Sequence, residues 1–360
     1  MSLNCKADPM EQKMRRFLIS VITVYIGMNL IFAKALTAKQ GMTRKVRKPA
    51  VQGMFYPADG QKLKKEVDAY LKRAKNKAQI GRIVGLISPH AGYVYSGPIA
   101  AEGYALLQKG QFRTVIVMAP SHTADFGGVS MPAVDAYQTP LGEVSLSKKT
   151  AQLAKEKGFS FEPKSRVMRP GWWRSLGHVS SDSRDNPHTF EHSLEVQIPF
   201  LQRRLGSFKL IPLVFGRADP AEVAAVLSRY LDDKTLIVAS SDLSHFHPYK
   251  AAQKLDRSCI DAVIHFKFKS MAKQEACGKG PILTLMHLAK LKGWQPKLLD
   301  YRNSGDTAGD KARVVGYTSI AFVKNSKDQL KTGGKKVDKA SGEYDTKERK
   351  FLLELARKTV

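Results

Sequence analysis

Five residues have types and settings suited to one piece of chemistry: His90, His122, Asp242, His245 and Cys277. His90 follows the apolar run Ile83–Ser88, in Pro89-His90-Ala91-Gly92-Tyr93. His122 follows Thr114–Ala119, in Pro120-Ser121-His122, and Asp242 and His245 follow Thr235–Ser240, in Ser241-Asp242-Leu243-Ser244-His245. A lone histidine after a strand is usually a hydrogen-bonding loop residue, and that reading is kept for His178, His188, His265 and His287. Repetition makes the case for the other three. Neutral imidazoles bind first-row divalent metals, and a thiolate or carboxylate supplies the negative charge. Two histidines and one anionic ligand leave coordination positions open for a small-molecule substrate or dioxygen. Cys277-Gly278 stands just before a helix that Pro281 starts. A glycine-flanked loop cysteine is more exposed than most, with a buried structural thiol as the alternative. Asp242, and His192 in Glu191-His192-Ser193, could orient ligands or transfer protons. Asp242 could equally be a helix N-cap, and Glu191 and Glu195 could act likewise or form structural ion pairs.

Such residues need a scaffold that brings strand ends together. Apolar runs at Ile83–Ser88, Thr114–Ala119, Leu210–Phe215, Thr235–Ser240 and Val314–Phe322 read as buried strands. Helical patterns fall at 61–74, 97–108, 148–157, 192–205, 219–231, 250–265 and 281–291. This alternation predicts an α/β fold, a mainly parallel central sheet flanked by helices on both faces. Ligands then bind beyond the carboxyl ends of the strands, where His90, His122, Asp242 and His245 stand. Residues 163–190, with Trp172 and Trp173, break the rhythm and read as an insertion over the site.

Composition narrows the function. A hydrophobic fraction of 43% excludes a disordered chain. The net charge of +27 first suggests nucleic acid or an anionic surface. Ten of the basic residues lie in 1–50, against two acidic ones, and the C-terminal stretch is also lysine-rich. The remaining charges are scattered, without a helix-turn-helix, zinc finger or RNA-binding signature, so no nucleic acid partner is expected. Three cysteines, Cys5, Cys259 and Cys277, make no disulfide framework, and Cys259 sits on an apolar helical face. There is no GxGxxG, no Walker loop and no Gly-x-Ser-x-Gly elbow. A hydrolase using zinc-bound water remains an alternative to redox chemistry.

Both ends differ from the middle. Residues 17–33 are uncharged and apolar, with Lys13, Arg15 and Arg16 before them and small residues after. Residues 1–43 therefore read as a signal peptide or an N-terminal membrane anchor, which implies export or membrane association. Residues 325–344 read as a lysine-rich linker, and 345–360 as an amphipathic helix with Phe351, Leu352 and Leu355 on one face.

The ordered motifs carry a resemblance. Pro-His-Ala-Gly-Tyr (89–93), Pro-Ser-His (120–122), Glu-His-Ser-Leu-Glu (191–195), Ser-Ser-Asp-Leu-Ser-His (240–245), Cys-Gly (277–278), Asn-Ser-Gly-Asp (303–306) and Val-Val-Gly-Tyr (314–317) come in one order. With Arg47–Pro57, they resemble the Memo family over residues 44–324. Its prokaryotic members are called AmmeMemoRadiSam system protein B, and its fold is similar to class III extradiol dioxygenases, non-haem iron enzymes with two His and a Glu. In Memo proteins a Cys replaces that Glu. The resemblance implies His90, His122 and Cys277 as metal ligands, with His192, Asp242 and His245 as catalytic groups lining the site. It implies Fe(II) first, with copper or zinc as alternatives that suit a softer thiolate. It also implies a radical SAM protein and a system protein A as partners, and residues 345–360 resemble the first helix of system protein A. The function it implies is a non-haem iron-dependent, dioxygenase-like redox enzyme. A non-catalytic metal- or peptide-binding protein on the same fold is the alternative.

Overall fold

The computed structural model describes residues 44–75, 80–171 and 185–324, together with Met10, Met14, Leu18 and Ser20, which are helical. The chain divides into two units, Met1–Lys45 and Val46–Val360, and the central sheet with its covering helices belongs to the second. Among the described residues, no helix is long and apolar enough to cross a membrane. Residues 21–33 of the apolar N-terminal segment, Trp172 and Trp173, and the predicted linker and 345–360 helix lie outside the described residues.

Alternation within each apolar run builds the sheet. The strands are β1 (Arg82–Ser88), β2 (Thr114–Pro120), β3 (Val129–Met131), β4 (Phe159–Phe161), β5 (Lys209–Phe215), β6 (Thr235–Ser240), β7 (His245–His247), β8 (Gln295–Asn303) and β9 (Val314–Lys324). They form one nine-stranded sheet in the order β7-β9-β1-β6-β2-β5-β3-β4, with β8 also pairing β9. The four central strands β1, β6, β2 and β5 are parallel. The flanks are mixed: β9 runs antiparallel to β1, β7 and β8, and β3 antiparallel to β5.

Successive residues of a strand face opposite sides. Val115, Val117, Leu236 and Val238 therefore enter one core, and Ile116, Met118, Ile237 and Ala239 the other. Helices α1 (Gly60–Arg73), α2 (Tyr93–Tyr104) and α3 (Ile198–Leu205) cover the first face through Leu63, Val67, Tyr104 and Phe200. Helices α4 (Pro220–Ser228), α5 (Tyr249–Ile264) and α6 (Lys279–Lys292) cover the second through Leu227, Val263, Ile282 and Leu285. Local signals set their ends: Asp59 caps α1 and Asp219 caps α4, each accepting backbone amides, and Gly293 closes α6 at φ 71°.

The structure corrects several boundaries. The predicted helix 97–108 runs over Tyr93–Tyr104, and 148–157 shrinks to Lys149–Leu153. The predicted helix 192–205 starts only at a 3-10 turn, Glu195–Gln197, because residues 191–193 stay unwound to serve the Glu191 carboxylate. β8 has no counterpart among the expected strands. Among the described residues it pairs only with β9, and it carries Lys297, Asp300 and Arg302, so it lacks the apolar signature of a central strand.

Candidate metal centre

β1, β6 and β2 are neighbours, in a register that pairs Ser88 with Ser240 and Met118 with Ala239. Their carboxyl ends therefore lie along one edge of the sheet. His90 stands two residues past β1, Asp242 two past β6 and His122 two past β2. The His90 and His122 rings sit edge to face with centroids 5.1 Å apart. His192 joins them from the loop before α3, its ring 4.6 Å from His122 and 5.5 Å from His90. One ligand nitrogen from each of His90, His122 and His192 lies within 4.8 Å of the other two.

Hydrogen bonding fixes which nitrogen of His90 faces the site. Ser240 Oγ lies 2.6 Å from the Ser193 carbonyl, which can only accept, so the single hydroxyl proton goes there. Ser240 Oγ then accepts from Gln197 Nε2 at 2.8 Å and from His90 Nδ1 at 2.9 Å. His90 is thus protonated on Nδ1 and presents a bare Nε2. Burial, followed by the charges of His122 and His192, holds His90 well below the ordinary histidine range, which keeps it neutral.

His122 is oriented by an anion. Its backbone N–H donates to Glu191 Oε2 at 2.6 Å and its Nδ1 donates to Glu191 Oε1 at 2.9 Å. Ser193 adds its N–H at 2.9 Å and its hydroxyl at 2.7 Å to the same Oε1. Burial works against charge on both partners, but the pairing wins: it raises His122 and depresses Glu191. A hydrogen bond to Cys277 also raises His122. His122 Nδ1 is therefore occupied by Glu191, and its Nε2 is the nitrogen left for a ligand. His192, packed on Phe55 at 4.8 Å, is pushed down to about 4 by burial, with help from the charge of His122 and against Glu191.

Cys277 arrives from the opposite face, on the turn before α6. Its Sγ lies 3.2 Å from His90 Nε2 and accepts the Asp242 N–H at 3.3 Å. The turn packs directly on the end of β6. A Cβ on Gly278 would stand 2.3 Å from the Ser240 carbonyl oxygen and 2.6 Å from Ser241 Cβ. Gly278→Ala is therefore expected to push the Cys277 turn off the strand end. Loss of thiolate-to-cobalt absorption in a Co(II)-loaded variant that still folds checks this; an unchanged spectrum would count against the close approach.

Asp242 is buried, and its carboxylate accepts the His90 N–H at 2.7 Å, so it anchors the His90 loop rather than capping a helix. Burial pushes its acid up to about 7, against the amides of His90 and Ala91 and the charge of His122. The metal-free fold then holds a proton that the unfolded chain releases above about pH 4. Stability should consequently fall as pH rises from about 4 to about 7, by at most about 1.4 kcal/mol per pH unit from this group. Denaturant unfolding of the metal-free protein against Asp242→Asn checks it: the variant should lose this part of the slope.

His245 is not one of the three clustered rings, but its charge is felt at His90 and that of His122 at His245. It is half-buried on β7, its ring 5.8 Å from exposed Phe246, and burial lowers it. Among the described residues it forms no hydrogen bond to His90, His122 or Cys277. Glu195 also lies outside the cluster. It pairs with buried Arg47 and accepts the Tyr56 hydroxyl and the Ala50 and Val51 amides at 2.7 and 3.1 Å. Cys259 is buried against Met271, with sulfurs 3.7 Å apart. The sequence does not single out Ser193, Gln197 or Ser240. Serine and glutamine carry no distinctive signal, and their role depends on a loop folding over two strand ends.

Comparison with known proteins agrees with the motifs. The Memo-like protein family matches residues 47–321. A MEMO1 family protein of Sulfurisphaera tokodaii is 33% identical over 302 residues, covering 77% of this chain and 99% of its own length. Those of Methanosarcina acetivorans and Sulfolobus acidocaldarius are 34% and 35% identical, over 76% and 77% of this chain and 98% and 99% of theirs. On this likeness, over nearly the whole length of its relatives, the chain belongs to the Memo family and has its extradiol dioxygenase-like α/β fold.

Proposed function

We propose that this protein is a metal-dependent redox protein whose ion, iron(II) first among candidates, is held by His90, His122 and Cys277. One observation carries the reading. The imidazole nitrogens of His90 and His122 that face away from the site are both committed, to Ser240 and Glu191, while Cys277 Sγ lies 3.2 Å from His90 Nε2. Two imidazoles and a thiol form a donor set that fits a first-row metal, and copper or zinc would also suit the sulfur. Such a metal supplies a site where dioxygen or a small organic substrate can bind and exchange electrons. The protein's part is to orient and to handle protons. Asp242, buried and able to bind a proton near neutrality, is suited to hold a proton for a bound substrate, and His192, neutral at pH 7 and beside both ligand rings, is suited to accept a hydrogen bond from one. His245 would serve at the rim.

A second reading has its own support. His192 brings a third imidazole nitrogen within 4.8 Å of the other two. Were it to bind as well, a three-histidine, one-cysteine set would fill a tetrahedral site and leave no open position. The protein would then hold a metal without turnover. Docking to a radical SAM protein or a system protein A, and export or anchoring through residues 17–33, belong to the same proposal and await tests of their own. Co-purification would test the first, and N-terminal sequencing with cell fractionation the second.

Metal analysis of protein purified without oxygen, followed by oxygen-uptake measurements, tests the main reading. Stoichiometric iron with uptake that depends on added substrate supports it. Metal without uptake favours the closed site. Metal-free protein that takes up no iron, copper or zinc overturns both.

A further inference from the structure

The two histidine ligands are supported unequally. His90 Nδ1 ends on a hydroxyl, Ser240 Oγ, in a neutral relay that continues to the Ser193 carbonyl and to Gln197. Gln197 is itself held by the Tyr104 hydroxyl at 2.7 Å and the Pro89 carbonyl at 2.9 Å. His122 Nδ1 ends on a buried carboxylate that is 2% exposed and built into the fold by the His122 amide and both donors of Ser193. A carboxylate drawing on Nδ1–H raises electron density at Nε2, and a neutral hydroxyl does so much less.

We propose that Glu191 is a positioning residue that makes His122 the stronger of the two imidazole donors and so sets how tightly the site holds its metal. The inference rests on the metal reading above. It goes further in assigning the affinity to a residue that would touch no metal. Arg47 takes part at one remove: its Nη2 donates to the Glu191 carbonyl at 2.7 Å and to the His188 carbonyl at 3.0 Å, fixing the segment from which the carboxylate reaches β2.

The test uses Co(II) as the probe on the metal-free full chain. Wild-type protein should take up Co(II) with a thiolate-to-cobalt band that Cys277→Ala removes. Absence of that band in the wild type overturns the metal reading, whatever Glu191 does. With the band present, Glu191→Gln should keep it, because Cys277 is untouched. Its Co(II) affinity should fall by about 10- to 100-fold, and its ligand-field bands should move to lower energy as His122 becomes a weaker donor. Glu191→Asp keeps the charge but draws it back from His122, so its affinity should fall between wild type and Glu191→Gln. A Glu191→Gln protein with wild-type affinity and bands overturns the proposal while leaving the metal reading intact. Where Glu191→Gln does not fold, Glu191→Asp decides: affinity equal to wild type overturns the role of Glu191, and weaker binding with the thiolate band retained supports it.

Discussion

Cys277→Asp is expected to retain iron(II) while losing every spectral sign of sulfur ligation, whereas Cys277→Ala loses the metal. The thiol sits 3.2 Å from His90 Nε2 and is half-buried at the edge of the histidine cluster. Removing it leaves two imidazoles and no anionic donor, so affinity should fall by more than the roughly 10- to 100-fold that loss of a supporting residue costs. Aspartate restores the negative charge with a hard oxygen and converts the set into two histidines and a carboxylate, which suits non-haem iron. The ranking of metals should shift with it, since copper(I) and zinc lose the soft sulfur they favour while iron(II) does not. Anaerobic loading with each metal and elemental analysis check the ranking. Equal iron content in wild type and Cys277→Ala would remove the cysteine from the ligand set. The opposing contact is the Asp242 amide, 3.3 Å from the sulfur, which a carboxylate oxygen can also accept.

What was legible in the sequence depended on how local each signal was. His90, His122 and Asp242 each follow an uninterrupted apolar run, so their place at a strand end could be read directly. That the three ends are adjacent depends on the order β1-β6-β2, which the alternation of strands and helices constrains but does not dictate. Glu191 was visible only as an acidic residue beside a histidine. Its function arises because the unwound 191–193 loop meets the end of β2, a contact 69 residues apart in the chain. In the sequence His192 reads only as a group that orients ligands or transfers protons, yet its ring packs as close to His122 as any in the cluster. The antiparallel edge was illegible for a different reason. β8 is half-exposed and polar and pairs with β9 along one edge, so its sequence shows no periodic apolar signal.

Arg47→Met is expected to be among the most destabilising substitutions outside the core, and adding Glu195→Gln should recover part of the loss. Arg47 and Glu195 are both buried, with side chains 7% and 0% exposed, and they pair directly. Burial alone disfavours the charge on Arg47, and Glu195, together with Tyr137 and Tyr56, more than restores it. Removing the arginine strands a carboxylate in the interior and leaves the His188 and Glu191 carbonyls without their donor. Breaking one side of a buried pair costs about 3–5 kcal/mol, most of it the penalty for the charge left behind. For a body of this size that corresponds to a fall of roughly 5–9 °C in Tm. Glu195→Gln removes the stranded charge and keeps a carbonyl oxygen for one of the donors now served by the carboxylate, the Ala50 and Val51 amides and the Tyr56 hydroxyl. The double variant should therefore unfold at higher denaturant than Arg47→Met alone, although it has lost one more native side chain. Thermal and denaturant unfolding of the metal-free proteins give the answer. A double variant less stable than the single one would mean that the acceptor geometry of Glu195, and not its charge, is what the fold depends on.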